Sequence, residues 1–371
     1  FNLAERQRGR DLYEKMVLAE IGRRRVGAQL DEDAPIPRPP SPLEVEAVMA
    51  AIPNAETVLV EFVTGTGGEP TTAFLVGAGP IQAIRLPPVD SLERDINLLR
   101  SLTESGGDPG PVAVRLGNSL LGPILSRLPE SVSSLALVPS GSLHRVPFDL
   151  LETGSQGPLL QRFSVSVGPS ASVLSRLWSE RVDPLPDFLV LGDPGSPNPA
   201  PGQDPLPPLP GARREIEAVA SFSEVASARV GTEASEAFLK ASPLEGYGVI
   251  HLATHALVDE SSLAGTGLVL SPGDGEDGYM YPAEIAQLSL GAGMVVLSAC
   301  RSAGGTLIRG EGVQGLTAPF LQAGAKSVLA TQWAIDDRSS HRLILDLYRG
   351  LAEGLPLGLS LQAAKISSAE R

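Results

Sequence analysis

Cysteine is nearly absent from this sequence, and basic residues are fewer than acidic ones. Cys300 is the single cysteine in 371 residues. One cysteine cannot form an internal disulfide, so the fold does not depend on an oxidising compartment, and we expect a cytoplasmic protein. Lys and Arg total 29 against 43 Asp and Glu, for a net charge of −14. Without a basic block to attract a phosphate backbone, nucleic-acid binding is disfavoured.

Long apolar runs are also missing. No segment approaches the ~18 to 20 apolar residues that cross a bilayer, and the amino-terminal FNLAERQRGR is charged where a signal peptide is apolar. We therefore expect no contact with a membrane. A hydrophobic content of 42% is enough for a buried core, and the length favours two or three domains at ~150 residues each.

Pro-rich stretches divide the chain into three parts. Residues 1–40 contain one amphipathic helix and a Pro-rich linker, and five prolines stand between positions 31 and 42, across the boundary to the second part. Residues 41–185 start with a predicted capping box, Ser41 to Glu44, and then alternate β-like and helical runs. Residues 186–371 alternate strands and helices, which predicts a mainly parallel sheet flanked by helices. The predicted helices of the last two parts span residues 91–103, 116–128, 212–221, 233–241, 282–288, 314–323 and 339–351.

Two reactive side chains follow predicted strands of the third part. His255 ends VIHLATH and Cys300 ends MVVLSAC, and in parallel sheets chemistry gathers at the carboxyl ends of the strands. A cysteine nucleophile acts as the thiolate, and a nearby imidazole can take its proton. Taken alone, Cys300 is as consistent with a small buried apolar residue as with a nucleophile. The Gly-rich loop that follows it favours the nucleophile.

The four histidines do not predict a metal site. His251 and His255 are four positions apart, but on a strand this spacing separates side chains by roughly 13 Å, and no carboxylate stands at a fitting distance. His251 lies in the middle of the strand and is predicted to be a core histidine, whereas His255 at its edge is the candidate for catalysis. His144 and His341 are interpreted as structural or exposed.

Several longer segments together resemble one known family. VIHLATHA, MVVLSACRSAGG and GEGVQGLTAPFLQAGAKSVLATQWAIDD are similar to the CHAT family of bacterial caspase-like cysteine peptidases, which are related to separase and often follow TPR arrays. LVPSGSLHRVPFDLL and LPPLPGARREIEAVA extend the resemblance upstream. His255 precedes Cys300 by 45 positions, close to the ~50 of caspases. The resemblance implies a caspase-like third part, a pseudo-caspase-like second part and a first helix that ends a TPR array.

The resemblance also assigns roles to residues. It implies that Cys300 is the nucleophile and His255 the general base and acid, with no metal and no cofactor. The oxyanion would bind the backbone amides of Cys300 and Ala256, although the family commonly has glycine at the second position. Glu311 matches a family position that either shapes a loop or contacts substrate.

Asp336 and Asp337 follow the last core strand, where separase-like relatives bind a basic P1 side chain. A carboxylate there would pair with Arg or Lys, although either residue could instead be the N-cap of the helix predicted from Ser339. The expected partners are a protein substrate and a regulatory protein or ligand that acts through the TPR side. Two alternatives stay open: a catalytically silent CHAT scaffold, and a serine hydrolase, which the absence of a G-x-S-x-G motif disfavours.

Overall fold

A computed structural model describes ten segments of the chain. They are residues 10–28, 43–77, 79–154, 156–180, 187–195, 206–257, 265–299, 305–308, 312–333 and 337–370. Two five-stranded sheets, one on each side of residue 180, form the framework of these segments. Helices cover the sheets, so the molecule has the predicted α/β architecture.

The first sheet is mixed. Its strands are β1 (Thr57–Val63), β2 (Thr71–Val76), β3 (Gln82–Leu86), β4 (Ser134–Val138) and β5 (Ser164–Val167), in the spatial order β3-β2-β1-β4-β5. β1 runs parallel to β4 and antiparallel to β2. The helices up to this point in the fold are α1 (Arg10–Ala28), α2 (Val45–Ala51), α3 (Glu93–Ser105), α4 (Gly110–Leu120), α5 (Gly122–Leu125) and α6 (Ala171–Ser179).

The second sheet is parallel throughout. The remaining strands are β6 (Phe188–Pro194), β7 (Ser227–Gly231), β8 (Val249–Ala253), β9 (Ala256–Leu257), β10 (Gly267–Val269), β11 (Tyr279–Met280), β12 (Met294–Ser298), β13 (Gly305–Ile308), β14 (Gly312–Gly315) and β15 (Val328–Ala330). Five of them form this sheet, in the order β15-β12-β8-β6-β7, and every neighbouring pair is parallel. β9, β10 and β11 form a small antiparallel sheet, and β13 pairs with β14.

Both faces of the second sheet are buried under helices. The helices are α7 (Pro210–Ala220), α8 (Glu236–Ala241), α9 (Pro282–Ile285), α10 (Thr317–Ala323), α11 (Asp337–Ala352) and α12 (Leu357–Ala369). On one face, Ile250 and Val295 pack with Phe320 of α10. On the other face, Val296 packs with Ile216 of α7. Burial on both sides explains why these strands read as continuous apolar runs.

The first and last described helices connect the two sheets. Leu12 and Met16 of α1 pack between α6 and α10, against Val173 and Leu321. At the other end of the chain, α12 packs against β5 of the first sheet. There Lys365 Nζ lies 2.7 Å from Asp149 Oδ2, and Gln362 donates a hydrogen bond of 2.8 Å to the Leu160 carbonyl.

Several element boundaries differ from the predictions. α2 begins at Val45 with Glu44 as an extended N-cap that makes no side-chain capping bond, while Ser41 lies outside the described residues. Where a helix was predicted from residue 116, α4 already begins at Gly110, because Pro111 is well suited to a first helical turn. α6 was missed, although Ser170 accepts a hydrogen bond from the Val173 amide as an ordinary N-cap.

None of the described helices combines the length and apolar character that crossing a membrane requires.

Candidate functional site

The carboxyl ends of β8 and β12 lie side by side in the second sheet. Their parallel register pairs Ala253 with Ser298. His255 lies two positions after Ala253, and Cys300 lies two positions after Ser298. Cys300 itself is outside the described residues. Ala299, directly before Cys300, accepts a hydrogen bond of 2.7 Å through its carbonyl oxygen from the Thr331 hydroxyl. The end of β12 is therefore fixed to the segment that follows β15.

This edge of the sheet also contains a topological switch point. From β6, the chain passes to β7 on one side, whereas β8, β12 and β15 follow on the other side. Ligands of open parallel sheets bind where the strand order reverses, outside the carboxyl ends of the strands. The end of β8, which leads to His255, borders this position.

His255 is half-buried and held by backbone groups. Its Nε2 donates a hydrogen bond of 2.8 Å to the Pro207 carbonyl oxygen, and its own carbonyl accepts one of 3.0 Å from the Val269 amide. Because a carbonyl can only accept, the proton of a neutral imidazole lies on Nε2. Nδ1 is then the nitrogen that can take up a proton, which a general base requires.

Ala256 has a backbone amide directed away from its strand partner. β9 and β10 are antiparallel, with Ala256 opposite Leu268. The Val269 amide donates to the His255 carbonyl, so the Ala256–Leu268 pair is of the non-hydrogen-bonded kind. This geometry leaves the Ala256 N–H outside the β9–β10 ladder. An oxyanion role for Ala256 stays a prediction that this geometry permits.

A buried polar network lies beneath the same strand ends. His251 is completely buried in β8, as expected for a core histidine. Its Nε2 lies 2.9 Å from Glu215 Oε1 and its Nδ1 lies 3.1 Å from the Tyr348 hydroxyl. Burial alone would raise the pKa of Glu215, but hydrogen bonds from His251 and Ser298 and the electrostatic effect of the His251 and His341 imidazoles lower it, so the carboxylate is ionised and accepts from His251 Nε2–H. Burial raises the pKa of Tyr348, which stays neutral.

Asp193, near the end of β6, has an unusual backbone conformation that sequence reasoning missed. Its φ is +46°, in the left-handed region that is uncommon outside glycine. Its carboxylate pairs with Arg213 Nε at 3.0 Å. The Asp-Pro-Gly that follows an apolar strand was a usable signal for a tight strand-end turn.

The described residues do not test the substrate pocket that the resemblance predicts at Glu311, Asp336 and Asp337. Glu311 and Asp336 lie outside the described residues. α11 begins at Asp337 and not at Ser339, so Asp337 belongs to the helix and does not precede it as an N-cap. A substrate-pocket role for these three acidic residues stays a prediction.

Three other carboxylates converge near the small antiparallel sheet. Glu236, Glu276 and Glu284 could geometrically hold a cation, but Lys240 Nζ already binds all three at 2.6 to 2.7 Å. Burial would lower the pKa of Lys240, yet its hydrogen bonds to these carboxylates raise it well above its usual range. An internal ammonium group therefore already occupies the position between the three carboxylates and offsets part of their negative charge.

Comparisons with known proteins agree with this architecture. The family model of the CHAT domain matches residues 110–371, well over half of the chain. A chain of the Saccharomyces cerevisiae separase–securin complex superposes with a TM-score of 0.55 at 11% identity, over 86% of this chain and 29% of that chain. This protein thus spans less than a third of the separase-complex chain that it matches.

A second solved structure covers a smaller part of this chain. The Arg-specific cysteine proteinase gingipain R matches with a TM-score of 0.45 at 10% identity, over 76% of this chain and 71% of its own. No curated protein matches the sequence. The fold predicted from the sequence, a caspase-like α/β arrangement with a mainly parallel sheet between helices, is confirmed. With the CHAT model matched over residues 110–371, the chain belongs to the CHAT domain family.

Proposed function

We propose that this chain is a caspase-like cysteine endopeptidase with Cys300 as nucleophile and His255 as general base and acid. The observation that carries the proposal is the position of His255: it stands just beyond β8, next to the strand that leads to Cys300, with Nε2 bound to the Pro207 carbonyl. A nucleophile, a base and a third group that orients the base form the usual arrangement of covalent catalysis.

The proposed reaction begins with a proton transfer. Nδ1 of His255 takes the thiol proton, and the Cys300 thiolate attacks the carbonyl carbon of the scissile peptide bond. The Cys300 and Ala256 amides stabilise the resulting oxyanion. One such donor is typically worth about 3 kcal/mol of transition-state stabilisation. The C–N bond then breaks as His255 passes its proton to the leaving amine, and water, deprotonated by the same imidazole, hydrolyses the acyl-enzyme.

The proposed specificity is for a basic P1 residue. In the sequence, Asp336 and Asp337 follow β15, whose carboxyl end lies at the same edge of the sheet as the ends of β8 and β12. Carboxylates bind Arg bidentately and Lys through a single ammonium group, and they reject acidic side chains. We propose these residues for the substrate pocket, with Glu311 as a further contact or as a residue that shapes the loop.

We also propose the division into residues 1–40, 41–185 and 186–371, with the last part catalytic and the second part a pseudo-caspase-like lobe. The contact of α1 with both α6 and α10 supports a regulatory role for the first part, because a partner that displaces α1 would affect the two neighbouring parts together. The partner would be a protein or ligand that acts through a TPR array, and the substrate would be a protein.

The experiment is a peptide-library digestion with the wild type, Cys300→Ala, His255→Ala and the control His144→Ala, a histidine of the short helix Gly141–Arg145 that follows β4. We expect cleavage by the wild type and the control, and loss of at least about a thousandfold for the two site variants. Iodoacetamide labelling of the native protein, read by mass spectrometry, reports whether the sole cysteine is reactive. Cleavage by Cys300→Ala at the wild-type rate would remove Cys300 as nucleophile. A wild type that neither cleaves nor labels would favour the silent scaffold.

A further inference from the structure

Glu215 is the point where three catalytic-lobe elements meet. It lies on α7, is almost completely buried, and accepts hydrogen bonds from His251 of β8 and Ser298 of β12. The segment that enters α7 also contributes Pro207, whose carbonyl binds His255. One helix and its leading turn therefore contact both strands that end at the proposed catalytic pair.

The contacts lie on one face of the sheet, in the middle of β8 and at the carboxyl end of β12. Side chains alternate along a strand, and Val249 and Val296 point to the α7 and α11 face. His251 and Ser298 are each two positions further on and share that face. Ser298 is two residues before Cys300, and His251 is four before His255. Glu215 thus links the two strand segments that lead to the proposed catalytic residues.

The charge of Glu215 makes this junction sensitive to substitution. A buried carboxylate is tolerated only when its oxygens are satisfied. Here His251 and Ser298 satisfy it, and the nearby imidazole of His341 on α11 also favours the ionised form of Glu215. On the other side of the His251 ring, Nδ1 lies 3.1 Å from the hydroxyl of Tyr348 on α11. Neutral replacement of Glu215 weakens both strand contacts at once.

We propose that Glu215 is a positioning residue, which sets the spacing of β8 and β12 at their carboxyl ends and thereby the distance between His255 and Cys300. This inference rests on the proposed function. A purely structural residue would change stability alone, whereas a positioning residue also changes how the Cys300 thiol ionises.

The test uses the sole cysteine as its own reporter. The rate of Cys300 alkylation by iodoacetamide is followed from pH 5 to pH 10 in the full chain, for the wild type, His255→Ala, Glu215→Gln and Ser298→Ala. A thiol paired with imidazole titrates below the ordinary value of ~8.5. In Glu215→Gln and Ser298→Ala, we expect the midpoint to move up by about half a pH unit or more, and kcat/KM to fall by about 10- to 100-fold, as for a small misplacement of reacting groups.

The controls separate this inference from the proposed function. Ser327→Ala removes a hydroxyl that donates to the Gly293 carbonyl at the opposite end of β12, at 2.7 Å, and should leave the alkylation profile unchanged. If Glu215→Gln does not fold, Ser298→Ala and Tyr348→Phe, each lacking one hydroxyl, carry the test. If the wild type has a lowered midpoint of Cys300 alkylation and Glu215→Gln, Ser298→Ala and Tyr348→Phe all keep it, the positioning role is overturned and the proposed function is not. Identical profiles for the wild type and His255→Ala overturn the catalytic pair itself.

Discussion

The Pro207 carbonyl oxygen lies 2.8 Å from Nε2 of His255, although the two residues are 48 positions apart in the sequence. The acceptor that orients the imidazole is therefore a backbone group. No side-chain substitution can delete it, and only the conformation of the segment around Pro207 controls it.

Pro207→Gly should lower peptidase activity while leaving the fold intact. Glycine has many more accessible backbone conformations than proline, so the carbonyl would be held less firmly against Nε2. We expect kcat/KM to fall up to about 10-fold, with a thermal midpoint close to that of the wild type. Pro208→Gly is the matched control, since its carbonyl does not accept from His255. Equal losses in both variants would mean that loop flexibility, and not this one acceptor, is responsible.

The strand ends were readable from the sequence, but the connections between them were not. His255 and Cys300 each follow an apolar run, and the alternation of strands and helices implied a parallel sheet. The Glu215–His251–Tyr348 network could not be predicted, because its members are far apart in the chain and come from two helices and a strand. Hydrophobic periodicity predicts which side of an element is buried, and it carries no information on which polar groups meet inside.

Lys240→Met should destabilise the region around the small antiparallel sheet. Glu236 is 1% exposed and would lose its cation, so we expect a loss of about 1–3 kcal/mol in the free energy of unfolding at pH 7. Arg100→Met, which breaks an exposed helical pair with Glu104, should cost no more than about 0.5 kcal/mol. Denaturant unfolding measures both. Equal effects would contradict a special role for the Lys240 cluster.

The same variant predicts a pH dependence. Burial would raise the pKa of Glu284, but its hydrogen bond with Lys240 lowers it below the ordinary 4.5. A carboxyl with a lowered folded-state pKa contributes stability above its unfolded pKa, and this contribution is lost as the pH falls through the folded value. The difference between wild type and Lys240→Met should therefore narrow as the pH is lowered from 7 to below about 4. If the difference in the free energy of unfolding stays constant over this pH range, the interaction of Lys240 with ionised Glu284 does not contribute to stability.

Gly117→Ala should be among the most destabilising single substitutions in the first sheet's helices. A Cβ on Gly117 of α4 would lie 1.9 Å from the Glu152 carbonyl oxygen, which is backbone and cannot rotate away. We expect a loss of about 3 kcal/mol, seen as a lower midpoint in thermal unfolding. At Gly122 an added Cβ meets nothing within 4 Å, so Gly122→Ala should stay within about 1 kcal/mol of the wild type. Tolerance of both would show that α4 can shift away from Glu152.

Substrate selection should depend on Asp336 and Asp337. With both changed to Asn, we expect the preference for Arg and Lys at P1 in a peptide library to fall by about 10-fold or more, because the pocket loses its charge. Cleavage after apolar P1 residues should be unchanged by the same substitutions. Wild-type cleavage only after apolar residues would refute the basic pocket.

The contacts of α12 with the first sheet have a consequence for synthesis on the ribosome. Lys365 meets Asp149, and Gln362 meets Leu160, across about two hundred residues of chain. The side of the first sheet that α12 covers therefore stays open to solvent until α12 itself has emerged. During synthesis the chain would pass through a stage in which both five-stranded sheets have been made but the first is incompletely covered, so the first sheet completes its packing only after the second has been synthesised.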